Sequence, residues 1–554
     1  MTAITGSAQV ASAERGREVR WDQWDDPADA QCTWHFDLTH FPDVMTPLGY
    51  DLYMQPFMKG FEVGMIEHGE GGAFQSRRVN GYLFMYHRAG PKAPAPPSPD
   101  ERLAKLSGAG ARWRDELLPE IQGLIDHYRV TDFDSLSDAA LAHEIETLRE
   151  RRVRAGVLHT LALRPWSQAM NLLVDTYKEL TGGDGVQAAR LVQGYGNKSV
   201  EAGHALWRLS QLAASLPELR ARLARVDSKN AREVLRDIET DGAAASFVAA
   251  LREFLDEFGW RSDLFELAEP SWAEDPTIAL CQLRAYLQME DYDPDGDLAR
   301  LAAERETLVQ ETLAALKPAP RARLERVLAA VRDVVTLQED HNFYIDQRLA
   351  LLPRRLVVAA ARRMVGQGWL TGEGDVFYLH AAELTAALER RDTDGLAALV
   401  QRRKDEMARW AAVTPPEFIG APPEPAKTAP AAGVTGESSA GAMDGDGAVV
   451  LTGNGGSAGV ARGPARILHT LSEADKLHPG DVLVARTTMP PWTPLFAVAS
   501  AMVVEVGGVL SHPAVTAREY GLPAVLNVRD ATNKIRDGQI VEVDGTRGRV
   551  RLLS

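Results

Sequence analysis

The sequence predicts a multidomain chain, a large mainly α-helical domain over 31–413 followed by a small α/β domain over 448–554. Three observations carry this. At 554 residues the chain exceeds one ordinary hydrophobic core. From about Glu101 to Val413 apolar residues return every three or four positions, as in LAHEIETLRERRVRAGVLHTLAL, the period of helices with one buried stripe. Beyond Gly447 the pattern changes to short β-rich runs, ARIL, DVLVA, AMVVEV, PAVLNV and QIVEV, separated by Gly, Pro and Asp turns.

The remaining segments follow in order. Residues 1–30 are a polar lead. Trp34–Tyr53, dense in aromatics, histidines and prolines, reads as a loop-rich start to the first domain. GPKAPAPPSPDER (Gly90–Arg102) reads as a connector, because prolines neither donate ladder bonds nor sit inside helices. TGGDG, GYGN and EPSWAEDP break the helical region into many helices. The stretch 414–447 is rich in Pro, Ala, Gly and Ser, with Phe418-Ile419 as its one apolar anchor. It reads as an interdomain tether with reach.

Hydrophobic residues make up 45% and charged residues 25%, the balance of a soluble globular protein. A net charge of -16 supplies no basic field for nucleic acid or anionic membrane. Two isolated cysteines, Cys32 and Cys281, exclude a disulfide framework, and no metal-ligand spacing is present. The N-terminus lacks the pattern of a signal peptide and no run approaches a membrane span, so the expectation is cytoplasmic.

Chemistry concentrates at Ser511-His512. AMVVEV runs into Gly507-Gly508, then Val509-Leu510-Ser511-His512-Pro513 and a helix-compatible AVTAREYG closed by Gly521. Proline favours the first helical position, which puts His512 at the N-cap and Pro513 at N1. A helix start disfavours imidazolium and keeps a ring nitrogen nucleophilic. The amides of Ala514 and Val515 and the Ser511 hydroxyl are then donors for a phosphoryl group carried on His512. Thr487 and Thr488 are further candidate donors. Arg518 and Glu519 read as a solvated helix pair, with Arg518 as a lesser candidate for phosphate contact.

GGVLSHPAVTAREYGLPAVLNV, with GSAGVARGPARIL, PGDVLVA and MPPWTPLFAVA upstream, resembles the phosphohistidine swivelling domain of the phosphoenolpyruvate-utilising enzymes. The resemblance implies a β/β/α domain over 448–554 with His512 as the phosphorylated residue. Relatives usually carry Gly or Ala where Pro513 stands, which removes one backbone donor beside the phosphate. The first domain resembles, through HFPDVMTPLGYDLY, GYGNKSVEAGHALW, FGWRSDLFELAEPSWAEDP, EDHNFYIDQRL and GDVFYLHAAEL, the acceptor-binding region of the phenylphosphate synthase and rifamycin phosphotransferase branch. Gly259-Trp260-Arg261 stands where that branch often has Gly-His-Arg.

The family charges its histidine from ATP in an ATP-grasp domain or from phosphoenolpyruvate in a barrel. Neither is evident, there is no GxxxxGK[ST] loop, and GNGGSAG runs into Arg-Gly-Pro instead of a helix. The resemblance therefore implies a partner ATP-grasp subunit that brings ATP and Mg2+. The expected reaction is transfer from His512 to phenol or a cresol. The alternatives are a hydroxylated antibiotic or natural product as acceptor, or a non-catalytic phosphocarrier that binds a protein. A phenol needs an apolar slot and a base or cation at its hydroxyl. His341 is the first candidate base, with Arg261 and Arg348 as cations and Trp34, Trp260, Trp272, Phe343 and Tyr344 as slot walls.

Overall fold

The protein is described by a computed structural model over residues 19–24, 26–38, 40–69, 72–89, 98–289, 291–390, 393–423, 442–443 and 448–553. Most of the polar lead (1–18), of the connector (90–97) and of the tether (424–441 and 444–447) lies outside these residues.

Strand β1 (Thr33–Phe36) forms inside the stretch that reads as loop-rich. It pairs antiparallel with β3 (Tyr82–Ala89), which pairs with β2 (Gly72–Val79). Its other edge takes β4 (Phe418–Gly420), with Trp34 opposite Ile419. The start of the tether is thus a strand of the first domain. Ile419 packs with Trp34, Tyr82 and Phe84, and this burial is what holds it.

Helix α1 (Gln55–Glu67) crosses the 44-residue α2 (Asp138–Thr181) at contact distance. A Cβ on Gly60 would lie 1.8 Å from the Val153 carbonyl oxygen, so only glycine fits there. Ser137 caps the start of α2 by accepting from the Ala140 amide, and Gly182, at φ 75°, ends it. Helices α3 (Lys198–Ala214), α4 (Ala245–Phe258) and α5 (Thr277–Leu287) form a second helical layer. The short α6 (Leu337–His341) continues into a π-helical turn, Asn342–Arg348. No described helix is long and apolar enough to cross a membrane.

The C-terminal domain is one nine-stranded sheet, ordered β5-β6-β13-β12-β8-β9-β10-β11-β7. In chain order these are β5 (Ala442–Met443), β6 (Val449–Thr452), β7 (Asn454–Ser457), β8 (Val460–Leu468), β9 (Val482–Ala485), β10 (Ala501–Val504), β11 (Ala524–Leu526), β12 (Ile540–Asp544) and β13 (Arg549–Leu552). Strands β8, β9, β10 and β11 run parallel; β9, β10 and β11 are buried on both faces, as their unbroken apolar runs require, whereas β8, which carries Arg462 and Arg466, is only partly covered. Helix α7 (His512–Glu519) crosses from β10 to β11.

This domain sits against α3 and α5 rather than apart from them. Leu206, Leu283 and Tyr286 share a hydrophobic core with Trp492, Leu495, Phe496, Ala514 and Ala517. Carboxylates cross the seam in both directions. Asp263 accepts from the Leu471 amide at 2.8 Å and the Trp492 indole at 2.9 Å. Glu519 accepts from the amides of Gly194 and Gly196, both at 2.9 Å.

Candidate functional site

The loop after β10 turns at Gly507, whose φ of 130° lies in the region that glycine alone adopts readily. The Ser511 hydroxyl donates to the Gly508 carbonyl at 2.7 Å and accepts from the Gly508 amide at 3.2 Å, which closes the turn. Helix α7 then begins one residue earlier than its proline suggests. Ser511 is the N-cap, His512 is N1 and Pro513 is N2, because the Val515 amide already bonds the Ser511 carbonyl at 3.0 Å. A second-position proline loses no helical hydrogen bond, since an amide at that position has no helical partner, although it leaves one donor fewer at the helix start. The Ser511 hydroxyl and the Val515 amide are therefore occupied by the turn and the helix, and Ala514 is packed in the core.

His512 Nδ1 lies 2.9 Å from both carboxylate oxygens of Glu339, which projects from α6 of the helical domain. Side-chain exposure is 10% for His512 and 1% for Glu339. The Ser199 hydroxyl, at the start of α3, donates to Glu339 at 2.6 Å and fixes the carboxylate. Asn197 in turn caps α3 by accepting from the Ser199 and Val200 amides. A carboxylate only accepts, so the Nδ1 proton sits between the two groups and Nε2 carries the lone pair. Nε2 is buried and has no partner. One ring nitrogen is thus held and the other is left for chemistry.

Beside Glu339, burial pushes the Asp340 carboxyl up to about 6 while it accepts from the Lys198 amide. Lys198 pairs with Glu201 at 2.6 Å, and its ammonium lies 5.5 Å from the Phe343 ring. Arg348 lies 5.6 Å from the same ring and donates to Glu257 at 3.2 Å. Phe343 packs with Tyr344 and with Phe258, and Arg261 lies over Phe258 and Trp272. Burial lowers the Arg261 guanidinium to about 9 and raises the Tyr344 hydroxyl. Of the predicted slot, Phe343, Tyr344, Trp272, Arg261 and Arg348 are brought together. Trp260 packs on the larger helical core. Trp34 is elsewhere, in the N-terminal sheet, its indole donating to the Asp29 carbonyl.

His341 is fully enclosed. Its Nδ1 donates to the Leu337 carbonyl at 2.6 Å, its Nε2 lies 3.6 Å from Asp346, and burial lowers it to about 4. Its ring lies 4.7 Å from that of His159, which pairs with Asp346 at 3.0 Å. Although the sequence spacing suggests no metal ligands, His159, His341 and Asp346 bring ligand atoms within 4.8 Å of one another, a grouping only the fold assembles.

Thr488 is buried with an unpartnered hydroxyl, while Thr487 is half-buried. Arg518 and Glu519 are not a solvated pair: both are buried by the docked helical domain and the His512 loop. Arg518 donates to the Gly456 and Val509 carbonyls, each at 2.8 Å, and so braces that loop, and burial lowers its guanidinium to about 10. Sequence reasoning missed Glu339, Ser199 and Lys198. Glu339 stands two positions before the favoured His341, and Lys198 and Ser199 lie in GYGNKSVEAGHALW, so the segments were marked without these side chains.

Two family models match, "PEP-utilising enzyme, mobile domain" over residues 477–548 and "Rifampicin phosphotransferase fourth domain" over 159–339. The C-terminal domain thus matches the mobile domain of PEP-utilising enzymes, and the helical domain shares a segment with the fourth domain of rifampicin phosphotransferase. His512 lies in the first match and Lys198, Ser199, Arg261 and Glu339 in the second, so the His512–Glu339 contact joins the two family segments. Among relatives, chondramide synthase cmdD of Chondromyces crocatus is 34% identical over 96% of this chain and 14% of its own length. A rifampicin phosphotransferase of Streptomyces sviceus is 30% identical over 84% of this chain and 52% of its own. The uncharacterized phosphotransferase YvkC of Bacillus subtilis is 27% identical over 90% and 60%. The chain spans at most 60% of the length of these three relatives.

Proposed function

We propose that this chain carries a phosphoryl group on Nε2 of His512 and transfers it to a hydroxyl of an antibiotic or other natural product held by the helical domain. The observation that carries the proposal is the seating of His512 Nδ1 on Glu339. With Nδ1 held protonated, Nε2 is the nucleophile. Once Nε2 bears phosphorus the ring is cationic, and Glu339 is its counter-ion. Transfer breaks the Nε2–P bond, returns the electron pair to Nε2 and forms an O–P bond to the acceptor, whose hydroxyl proton passes to a base.

The acceptor class rests on the relatives, named for rifampicin phosphotransfer and for chondramide synthesis. Nothing in those names points to phenol or a cresol, so a natural-product hydroxyl is the stronger reading. A cavity of about 180 Å³, lined by His204, Tyr292, Phe496, Glu519 and Tyr520, opens at the domain seam and does not include His512. In the docked arrangement His512 faces Glu339, so an acceptor enters when the C-terminal domain lifts away.

In this proposal ATP and Mg2+ act through a partner ATP-grasp subunit that charges His512. The test mixes the chain with candidate ATP-grasp subunits and labelled ATP, then follows label onto protein and onto a panel of phenols and hydroxylated natural products. Label should pass through His512 to a natural product. If His512→Ala still becomes labelled and transfers, the proposal fails.

A further inference from the structure

Arg261 is 1% exposed, and none of its three side-chain nitrogens has a hydrogen-bond partner. It is the one arginine among the described residues of which this is true. Arg152 and Arg348, also enclosed, each bond through at least one nitrogen, and Arg518 spends its guanidinium on two carbonyls. The nearby carboxylate, Glu257, is already engaged by Arg348.

The surroundings repeat the same deficit. The Trp272 indole N–H, over whose ring Arg261 lies at 5.4 Å, is buried without an acceptor. The Tyr520 hydroxyl, whose electrostatic partners are Arg261 and the Tyr286 hydroxyl, lies in the same core. Tyr520 follows the His512 helix, while Arg261, Trp272 and Tyr286 belong to the helical domain, so these donors meet at the seam. A buried guanidinium is strongly disfavoured without a negative partner, and its planar fork matches an oxyanion that takes two N–H bonds at once.

We propose that Arg261 is the anchor of an oxyanion site at the domain seam, with Trp272 and Tyr520 as accessory donors, taking a phosphate or carboxylate group. The anion bridges the two domains, so its binding stabilises the docked arrangement. This does not rest on phosphoryl transfer by His512, since the unphosphorylated chain holds the site.

The full chain is tested by isothermal titration and thermal unfolding in a buffer free of phosphate, sulfate and carboxylates. Inorganic phosphate and acetate are titrated in parallel, and the better ligand tells which oxyanion the site prefers. Saturable binding is expected for at least one, with a rise in melting temperature. Arg261→Gln should weaken it about tenfold or more. Arg261→Gln should also melt higher than the native chain in the anion-free buffer, because it removes an uncompensated buried charge. A purely structural arginine gives the opposite shift. Lack of saturable binding to either anion, equal binding by Arg261→Gln, or a lower melting temperature for Arg261→Gln without anion overturns the proposal.

Discussion

Replacing Glu339 by Gln isolates the contact on which the functional reading rests. Gln keeps the size of Glu339 and an oxygen for the Ser199 hydroxyl, so the fold around α6 is retained while the negative charge is lost. Two opposite charges about 3 Å apart attract by roughly 5 kcal/mol at the effective dielectric of a protein site. An amide still accepts from Nδ1, so the net loss is smaller, about 3 kcal/mol, or on the order of a hundredfold. The charged form of the ring exists once Nε2 is phosphorylated, so the loss falls on charging His512. The assay is a quench-flow measurement of acid-labile phosphate on the protein, with phosphoramidate as a histidine-specific donor that needs no partner. Wild type and Glu339→Gln should differ about a hundredfold in charging, with unchanged melting curves. A difference under threefold would refute the assignment of Glu339 as counter-ion, since the 2.9 Å contact would then be geometric only.

Burial raises both Asp263 and Glu519, which accept amide hydrogen bonds across the seam, so at these two groups the docked state binds protons more tightly than a separated one. Docking should be strongest below the ordinary carboxylate range and weaken as pH rises through the raised values; hydrogen exchange at the Gly194 and Gly196 amides reads this, and Asp263→Asn with Glu519→Gln should flatten the profile. Gly507→Ala forces a side chain into a φ of 130° with its Cβ 2.9 Å from the Ser511 hydroxyl, and should cost about 1–3 kcal/mol in denaturant unfolding and slow His512 charging. Burial pushes the Cys281 thiol up to about 12, whereas Cys32 is half-buried, so iodoacetamide at pH 8 should add one group, on Cys32, as mass spectrometry of the native chain would show.

Much of the architecture was legible because periodicity reports burial locally. The strands at ARIL, DVLVA, AMVVEV, PAVLNV and QIVEV all form, and Phe418-Ile419, the one apolar anchor of the tether, forms a strand against β1. Where sequence and structure differ, the cause is shared. An aromatic residue such as Trp34 reads as a slot wall and charged residues such as Arg518 and Glu519 read as solvated, but the actual place of each depends on what the distant chain packs there.

By itself the sequence determined the division into a helical and an α/β domain and singled out His512, because periodicity and a helix-start motif are properties of neighbouring residues. Only the tertiary structure decided what His512 faces. Glu339 lies 173 positions away in the chain, and it reaches Nδ1 because the apolar faces of α3 and α5 bury themselves against Trp492 and Phe496. A contact set by the docking of two surfaces leaves no periodic trace in either, so the carrier could be read in one dimension and its carboxylate partner only in three.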